Sequence, residues 1–240
     1  MHSMKAGLEC VREGVKHARL RYWQFRHLSG LIHERDQAFA AYLARSPRGL
    51  HIGAEGYTLE NWFNTDLQPA KEGVYYLDAT QPFPFPQHSF DFIFSEHMIE
   101  HIPMAAGLRL LSECRRVLKP SGIIRIATPD LRKVFGLLVD NGPATEAYMR
   151  WAVEQFQLPQ DPFPKAPQVV NNFFRAWGHQ FIYDPETLQK AMQQAGFRDL
   201  IQQRVGVSLH TSLQRLEHHG QTFCEWVNEF ETMVFEATAP

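Results

Sequence analysis

The residues whose types and spacing could do chemistry fall in two stretches. The first is LHIGAEG at 50–56, followed by Asp66 in NWFNTDL and Asp78 in LDATQPF. An apolar run into a glycine turn is how a strand meets a bound nucleotide, whose phosphates rest on backbone amides and a helix N-terminus. Here the turn reads Gly53, Ala54, Glu55, Gly56. A carboxylate at Glu55 would oppose a phosphate with like charge, at a cost on the order of a few kcal/mol in a partly dry site. Asp66 follows Gly53 by 13 residues, where a dinucleotide fingerprint places its acid about 20 residues on. About six residues remain before the next strand, too few for a crossover helix. These features argue against NAD or FAD. A ligand with a ribose, a positive charge and no phosphate suits them better. Asp66 would accept its ribose hydroxyls and Asp78 its adenine amino group, with Ala79 and Thr80 giving backbone contacts. S-adenosylmethionine, with its sulfonium and amino cations, is such a ligand.

The second stretch is SEHMIEH at 95–101. His97, Glu100 and His101 match the H-x-x-E-H pattern of inverted zinc proteases. That site needs both histidines on one face of a stable helix and a third ligand. Here the segment leaves a strand, Pro103 follows at once, and no third ligand stands nearby on a helix. The expectation is therefore no metal. A histidine is the natural base near neutral pH, and His97 and His179 are the candidates. Tyr183, Asn171 and Asn172 are placed to orient a polar acceptor. The plainer reading of His179, inside AWGHQFIY, is a histidine that bonds a backbone carbonyl and holds its loop.

The elements that must position these residues alternate strand and helix. Strands are expected at 48–54, 63–67, 74–79, 89–96 and 123–129, and SFDFIFSE is apolar enough for a strand covered on both sides. Leu108, Leu111, Cys114 and Leu118 share a helical face over 105–118, which the turn KPSG ends. Helices follow over 130–139 and 143–156. Asp184, Pro185 and Gly196 read as N-cap, first helical residue and stop of another. FRDLIQQRV and TMVFEATA close the chain as a pair of strands. The span 157–183, with four prolines and several aromatics, reads as an ordered loop covering the substrate like a lid. Residues 207–231 give no clear pattern. This alternation implies an α/β fold with a mostly parallel sheet and helices on both faces. Ligands then sit beyond the carboxyl ends of the central strands.

The motifs, in order, resemble the class I S-adenosylmethionine-dependent methyltransferases, in particular a bacterial type with a short first crossover. LHIGAEG, NWFNTDL, LDATQPFPFP, SFDFIFSEHMIEH, RVLKPSG and IATPDL follow that family's pattern, and GHQFIYDPETLQKAMQQAGF resembles its closing motif. The resemblance covers about residues 48–205. It implies a Rossmann-like fold with a seven-stranded sheet. It implies cofactor contacts at Gly53, Ala54, Glu55, Gly56, Asp66, Leu67, Asp78, Ala79, Thr80, Ser95, Glu96 and His97, with S-adenosylhomocysteine as product. It also implies a small-molecule or sugar acceptor, methylated at oxygen. The chain departs from the pattern at Glu55, where the family has a glycine free to take φ > 0. The alternative is therefore a methyltransferase-like protein that only binds a partner.

Bulk composition bounds the rest. The 240 residues suffice for one α/β domain. No apolar run approaches the roughly 18 residues needed to cross a membrane, and the charged start argues against a signal peptide. Three scattered cysteines, Cys10, Cys114 and Cys224, suit a reducing compartment, so a cytoplasmic location is expected. Residues 1–48 hold nine Lys/Arg against four Asp/Glu, and the remainder fifteen against twenty-two. A basic helical extension over 1–46 thus precedes an acidic domain over 47–240. It is expected to dock on that domain, or else to meet a partner or a second copy. The acidic body makes nucleic acid a poor partner.

Overall fold

The structure is a computed structural model that describes residues 22, 33–159 and 162–240. Most of the basic extension, with Cys10, lies outside the described residues. What is described of it ends in helix α1, His33–Tyr42. Phe39 and Tyr42 of α1 pack on Phe63, with ring centroids 5.4 Å away in each case. The Tyr42 hydroxyl donates to Gly49 O at 2.9 Å, fixing the entry to the first strand.

Seven strands form one sheet. They are β1 Gly49–Ile52, β2 Trp62–Asp66, β3 Val74–Tyr76, β4 Phe90–Glu96, β5 Leu118–Pro129, β6 Arg198–Gln203 and β7 Thr232–Thr238. Their order is β3-β2-β1-β4-β5-β7-β6. The first five run parallel, and β7 is antiparallel to both β5 and β6. KPSG is not a turn between helix and strand. Leu118 already pairs with Phe90, and the register then jumps so that Ile123 meets Phe92. The intervening residues bulge out, with Ser121 at φ 63°.

One face of the sheet carries Leu50, Ile52, Ile93, Ile124 and Ile126. It is covered by α1, by α2 Met104–Val117 and by α6 Pro185–Gln194. Asp184 caps α6 by accepting from Thr187 N at 2.8 Å, and Gly196 after it takes φ 94°. The helices α3 Leu131–Gly136, α4 Pro143–Gln155 and α5 Lys165–Arg175 build a second cluster around Tyr148, Val169 and Phe173. Helix α5 corrects the expectation of an irregular loop over 157–183. Its prolines sit where a helix tolerates them: Pro164 is the N-cap and Pro167 lies in the first turn. Val169, Val170 and Phe173 then form its buried stripe.

The other face carries Phe92, Phe94 and Ile123, and no crossover helix follows β1 to cover it. The β6–β7 connection does so instead. Leu213 and Leu216 pack on Phe94 and Ile123 together with Leu59. This connection also contains the helical turn α7 His219–Thr222 and helix α8 Glu225–Glu231. It is anchored by Arg125, whose guanidinium is fully buried. Arg125 Nε donates to Glu217 Oε1 at 2.5 Å and Nη1 to Glu236 Oε1 at 2.6 Å. Two more bonds reach Val207 O and Arg204 O. Removing one partner of a buried pair leaves an uncompensated charge, which costs about 3–5 kcal/mol. Arg125→Ala is therefore expected to lose that much in urea unfolding. A loss below about 1 kcal/mol would mean that the connection is held by its apolar contacts alone.

Candidate active site at the carboxyl edge of the sheet

β1, β2 and β4 deliver the predicted residues to one edge of the sheet. The loop after β1 is tied to β2, since Gly53 N and Ala54 N donate to Thr65 O at 2.9 and 3.0 Å. Gly53 takes φ 80°, and a Cβ there would meet Met98 Cγ at 2.7 Å. The glycine thus lets the H-M-I-E-H segment fold over the turn. Glu55 takes φ 46° and is exposed. It follows the left-handed path of the glycine it replaces and turns its carboxylate to solvent. Gly56 does not take over that role; φ is not positive there.

Asp66 closes this loop. Its Oδ2 accepts Glu55 N at 2.8 Å and its Oδ1 accepts Gln68 N at 2.7 Å. Each oxygen keeps a second lone pair for an outside donor. Leu67, beside it, is exposed. Asp78 Oδ1 accepts both Thr80 N and Thr80 Oγ1, and Ala79 between them is half-buried. Ser95 is buried and its hydroxyl has no partner among the described residues.

Glu96 faces inward instead of toward a ligand. It accepts His218 N at 3.0 Å and His219 N at 3.1 Å, and its Oε2 lies 2.6 Å from His218 Nδ1. Burial pushes its pKa up, but His218, His97 and these amides outweigh it and hold the carboxyl at about 2. The His218 ring stacks on Tyr57 at 3.8 Å. Glu96 therefore clamps the β6–β7 connection over the β1 loop. The sequence reading missed this role for residues 218–219; the signal was the E-H-H run in an otherwise unpatterned segment.

His97 takes φ 45° at the end of β4. Its Nδ1 is 3.3 Å from Glu100 Oε1, and its Nε2 is 3.0 Å from Thr232 Oγ1. Thr232 Oγ1 itself donates to Asn228 Oδ1, so it accepts from His97. The ring stacks on His219 at 4.0 Å, and His219 Nε2 lies 3.0 Å from Glu231 Oε1. Burial would lower the His97 pKa, but Glu100, Glu231 and Glu96 raise it overall.

His179 comes from the segment after α5 and lies beside His101, with ring centroids 4.9 Å apart. Its Nδ1 donates to Phe173 O at 2.7 Å, the plainer role expected for it. That bond leaves Nε2 with a free lone pair. Burial lowers its pKa, against a pull upward from Glu100. Gln180 N and Phe181 N both donate to Glu100 O, which locks the two segments side by side. Tyr183 is the correction. It is fully buried, its hydroxyl sits against Gly107, and burial together with Glu100 pushes its pKa up to about 12. It packs the core and is out of reach of an acceptor. Asn171 is likewise occupied, bonding Pro167 O one turn back.

Residues 57–126 match the family described as methyltransferase domain. No curated protein matches the chain. Among solved structures, a phosphoethanolamine N-methyltransferase 2 of Haemonchus contortus is 13% identical over 87% of this chain, with a TM-score of 0.46. The chain spans 53% of that protein's length. A methyltransferase of Archaeoglobus fulgidus is 18% identical over 90% of this chain and 99% of its own, with a TM-score of 0.47. One of Thermotoga maritima, described as a possible histamine N-methyltransferase, is 17% identical over 93% and 99%, with a TM-score of 0.46. No helix among the described residues is long and apolar enough to cross a membrane.

The depressed pKa of Glu96 carries a pH signature. The bonds its carboxylate accepts stabilise the fold fully above the ordinary glutamate value of 4.5, and that stabilisation is lost as pH falls toward 2. The stability gap between wild type and Glu96→Gln is expected to be widest above pH 5 and to close by about pH 2. A gap that stays constant over that range would show that the charge of Glu96 does not hold the connection.

Proposed function

Because residues 57–126 belong to the methyltransferase-domain family and the chain has the class I methyltransferase fold, we propose that it transfers a methyl group from S-adenosylmethionine to a hydroxyl of a small-molecule or sugar acceptor. The observation that carries this reading is Glu55. Its positive φ and exposed side chain keep the glycine path of the turn and leave the backbone open to a ligand. The carboxylate at the rim suits a ligand whose charges are a sulfonium and an ammonium.

Bound there, the cofactor supplies an electrophilic methyl group on sulfur. Gly53, Ala54, Glu55 and Gly56 form the turn beneath its amino-acid portion. Asp66 and Leu67 would hold the ribose, and Asp78, Ala79 and Thr80 the adenine. Ser95, Glu96 and His97 form the floor from β4, with Glu96 acting through the connection it clamps. With the cofactor bound, an acceptor hydroxyl would attack the methyl carbon in line, the sulfur–carbon bond breaking as the oxygen–carbon bond forms, to give S-adenosylhomocysteine. Alignment alone supplies much of the acceleration. The hydroxyl proton goes to the group formed by His97, Glu100, His101 and His179. Helix α5 and the chain to Tyr183 act as the lid, with Trp177 and Phe173 flanking His179.

One observation favours the alternative, a protein of this fold that only binds a partner. Both oxygens of Asp66 already accept amides. Calorimetric titration with S-adenosylhomocysteine separates the two readings. Micromolar binding that is lost in Asp66→Ala is expected. Glu55→Gly removes the left-handed strain, about 1 kcal/mol, and is expected to leave the affinity within a few-fold. Binding that appears only in Glu55→Gly would establish the partner-binding reading.

A further inference from the structure

The structure brings a third residue to the H-x-x-E-H segment. His179 joins Glu100 and His101 with one ligand atom from each within 4.8 Å of the others. We propose that these three residues hold a divalent first-row transition ion with at least one open coordination position, and that the acceptor hydroxyl takes that position. The inference rests on the methyl-transfer reading for its chemistry, though not for its binding.

Three features on the page carry it. First, Glu100 is fully buried, and its Oε1 has no hydrogen-bond partner among the described residues. Its nearest neighbour is His97 Nδ1 at 3.3 Å. The other oxygen is committed, accepting from Thr128 Oγ1 at 2.9 Å. With only a histidine nitrogen at that distance among the described residues, this buried oxygen keeps a lone pair that a bound cation would satisfy. Second, His179 is set up as a ligand. A metal-bound histidine donates its second ring N–H to a carbonyl or carboxylate, which fixes the tautomer. His179 Nδ1 does this with Phe173 O, leaving Nε2 to coordinate. Third, the two segments that carry the ligands are tied together. Glu100 O accepts two amides from the 180–181 segment, and Gln180 Nε2 donates to His101 O at 2.8 Å. Ligands at about 2.0–2.2 Å from a tetrahedral ion lie about 3.3–3.6 Å apart, so an inward shift of about an ångström forms the site.

The neighbouring triad His97, His219 and Glu231 meets the same distance limit but not the same logic. Its two rings are stacked face to face, and their nitrogens already bond Thr232 and Glu231. Lone pairs on stacked rings do not converge on one ion. Two imidazoles and one carboxylate form the donor set of catalytic zinc sites, which leave a position for water or substrate. An acceptor hydroxyl bound there loses its proton to solvent and keeps its electron pair for the sulfonium methyl. With the ion bound, Glu100, His101 and His179 are ligands, and solvent takes the proton in place of the side-chain group that would take it in the metal-free site.

The test uses the full chain, stripped with a chelator and titrated with Co²⁺ while the visible absorption bands are followed. One equivalent is expected to bind with the intense bands of a low-coordinate site. Glu100→Gln, His101→Ala and His179→Ala are each expected to weaken binding by at least about tenfold, and His210→Ala, distant from the site, to leave it unchanged. X-ray absorption of the Zn²⁺-loaded wild type gives a second readout, with two imidazoles and one carboxylate expected around the ion. Absence of uptake, or uptake equal in wild type and all three variants, would overturn the site. S-adenosylhomocysteine titration of the stripped protein keeps the two proposals apart. Binding of that ligand without cobalt uptake removes the metal and leaves the methyltransferase, and the reverse removes the cofactor and leaves the metal.

Discussion

The burial of one guanidinium sets the terms for much of this molecule. Arg125 sits mid-strand in β5 with no exposure, and a cation there is tolerable only with full compensation. Two carboxylates and two carbonyls supply it. Glu236 lies directly opposite on β7, in register with Arg125. Glu217 comes from the connection between β6 and β7. That contact is what draws the connection across the sheet and seats Leu213 and Leu216 on Phe94. His218 and His219, the next residues in the chain, are thereby carried to the carboxyl end of β4.

A second layer of charge takes over at that edge. Glu96 holds His218 and both histidine amides, and Glu231 holds His219 and accepts from Tyr148 at 2.5 Å. Glu100 faces His97 on one side and the His101–His179 pair on the other. Three buried carboxylates thus alternate with histidines around the end of one strand. In a low-dielectric setting such groups reinforce one another when all are paired. One oxygen of Glu100 has only His97 Nδ1, at 3.3 Å, as a close polar neighbour among the described residues.

Most of the sheet was legible because strands covered on both faces are short apolar runs between turn residues. The cap of α6 was legible because Asp184, Pro185 and Gly196 each do a distinct local job. Helix α5 was not, because prolines at its start masked a buried stripe that spans a single turn and a half. The bulge after α2 was not, because KPSG is compatible with either a turn or a widened strand. At the site, the strand pattern was enough to put the glycine turn and the residues after β2, β3 and β4 at strand ends, where the structure has them. The inward direction of Glu96 was invisible, since its partners lie 122 and 123 residues away. The same holds for the meeting of His179 with His101, 78 positions earlier in the chain. Such pairs leave no periodic trace in sequence.

The short crossover after β1 has a consequence for how the chain is made. A longer crossover would carry its own helix and cover Phe94 within a few residues of the ribosome exit. Here the cover arrives with Leu213 and Leu216, and the anchoring pair of Arg125 and Glu217 is separated by 92 positions. At typical rates of synthesis, about 5–20 residues per second, the bare face waits for several seconds or longer. During that interval one face of the nascent sheet has α1 and α2 against it, while the Phe94 face has no cover. The late closing of such distant contacts makes folding slow for a domain of this size.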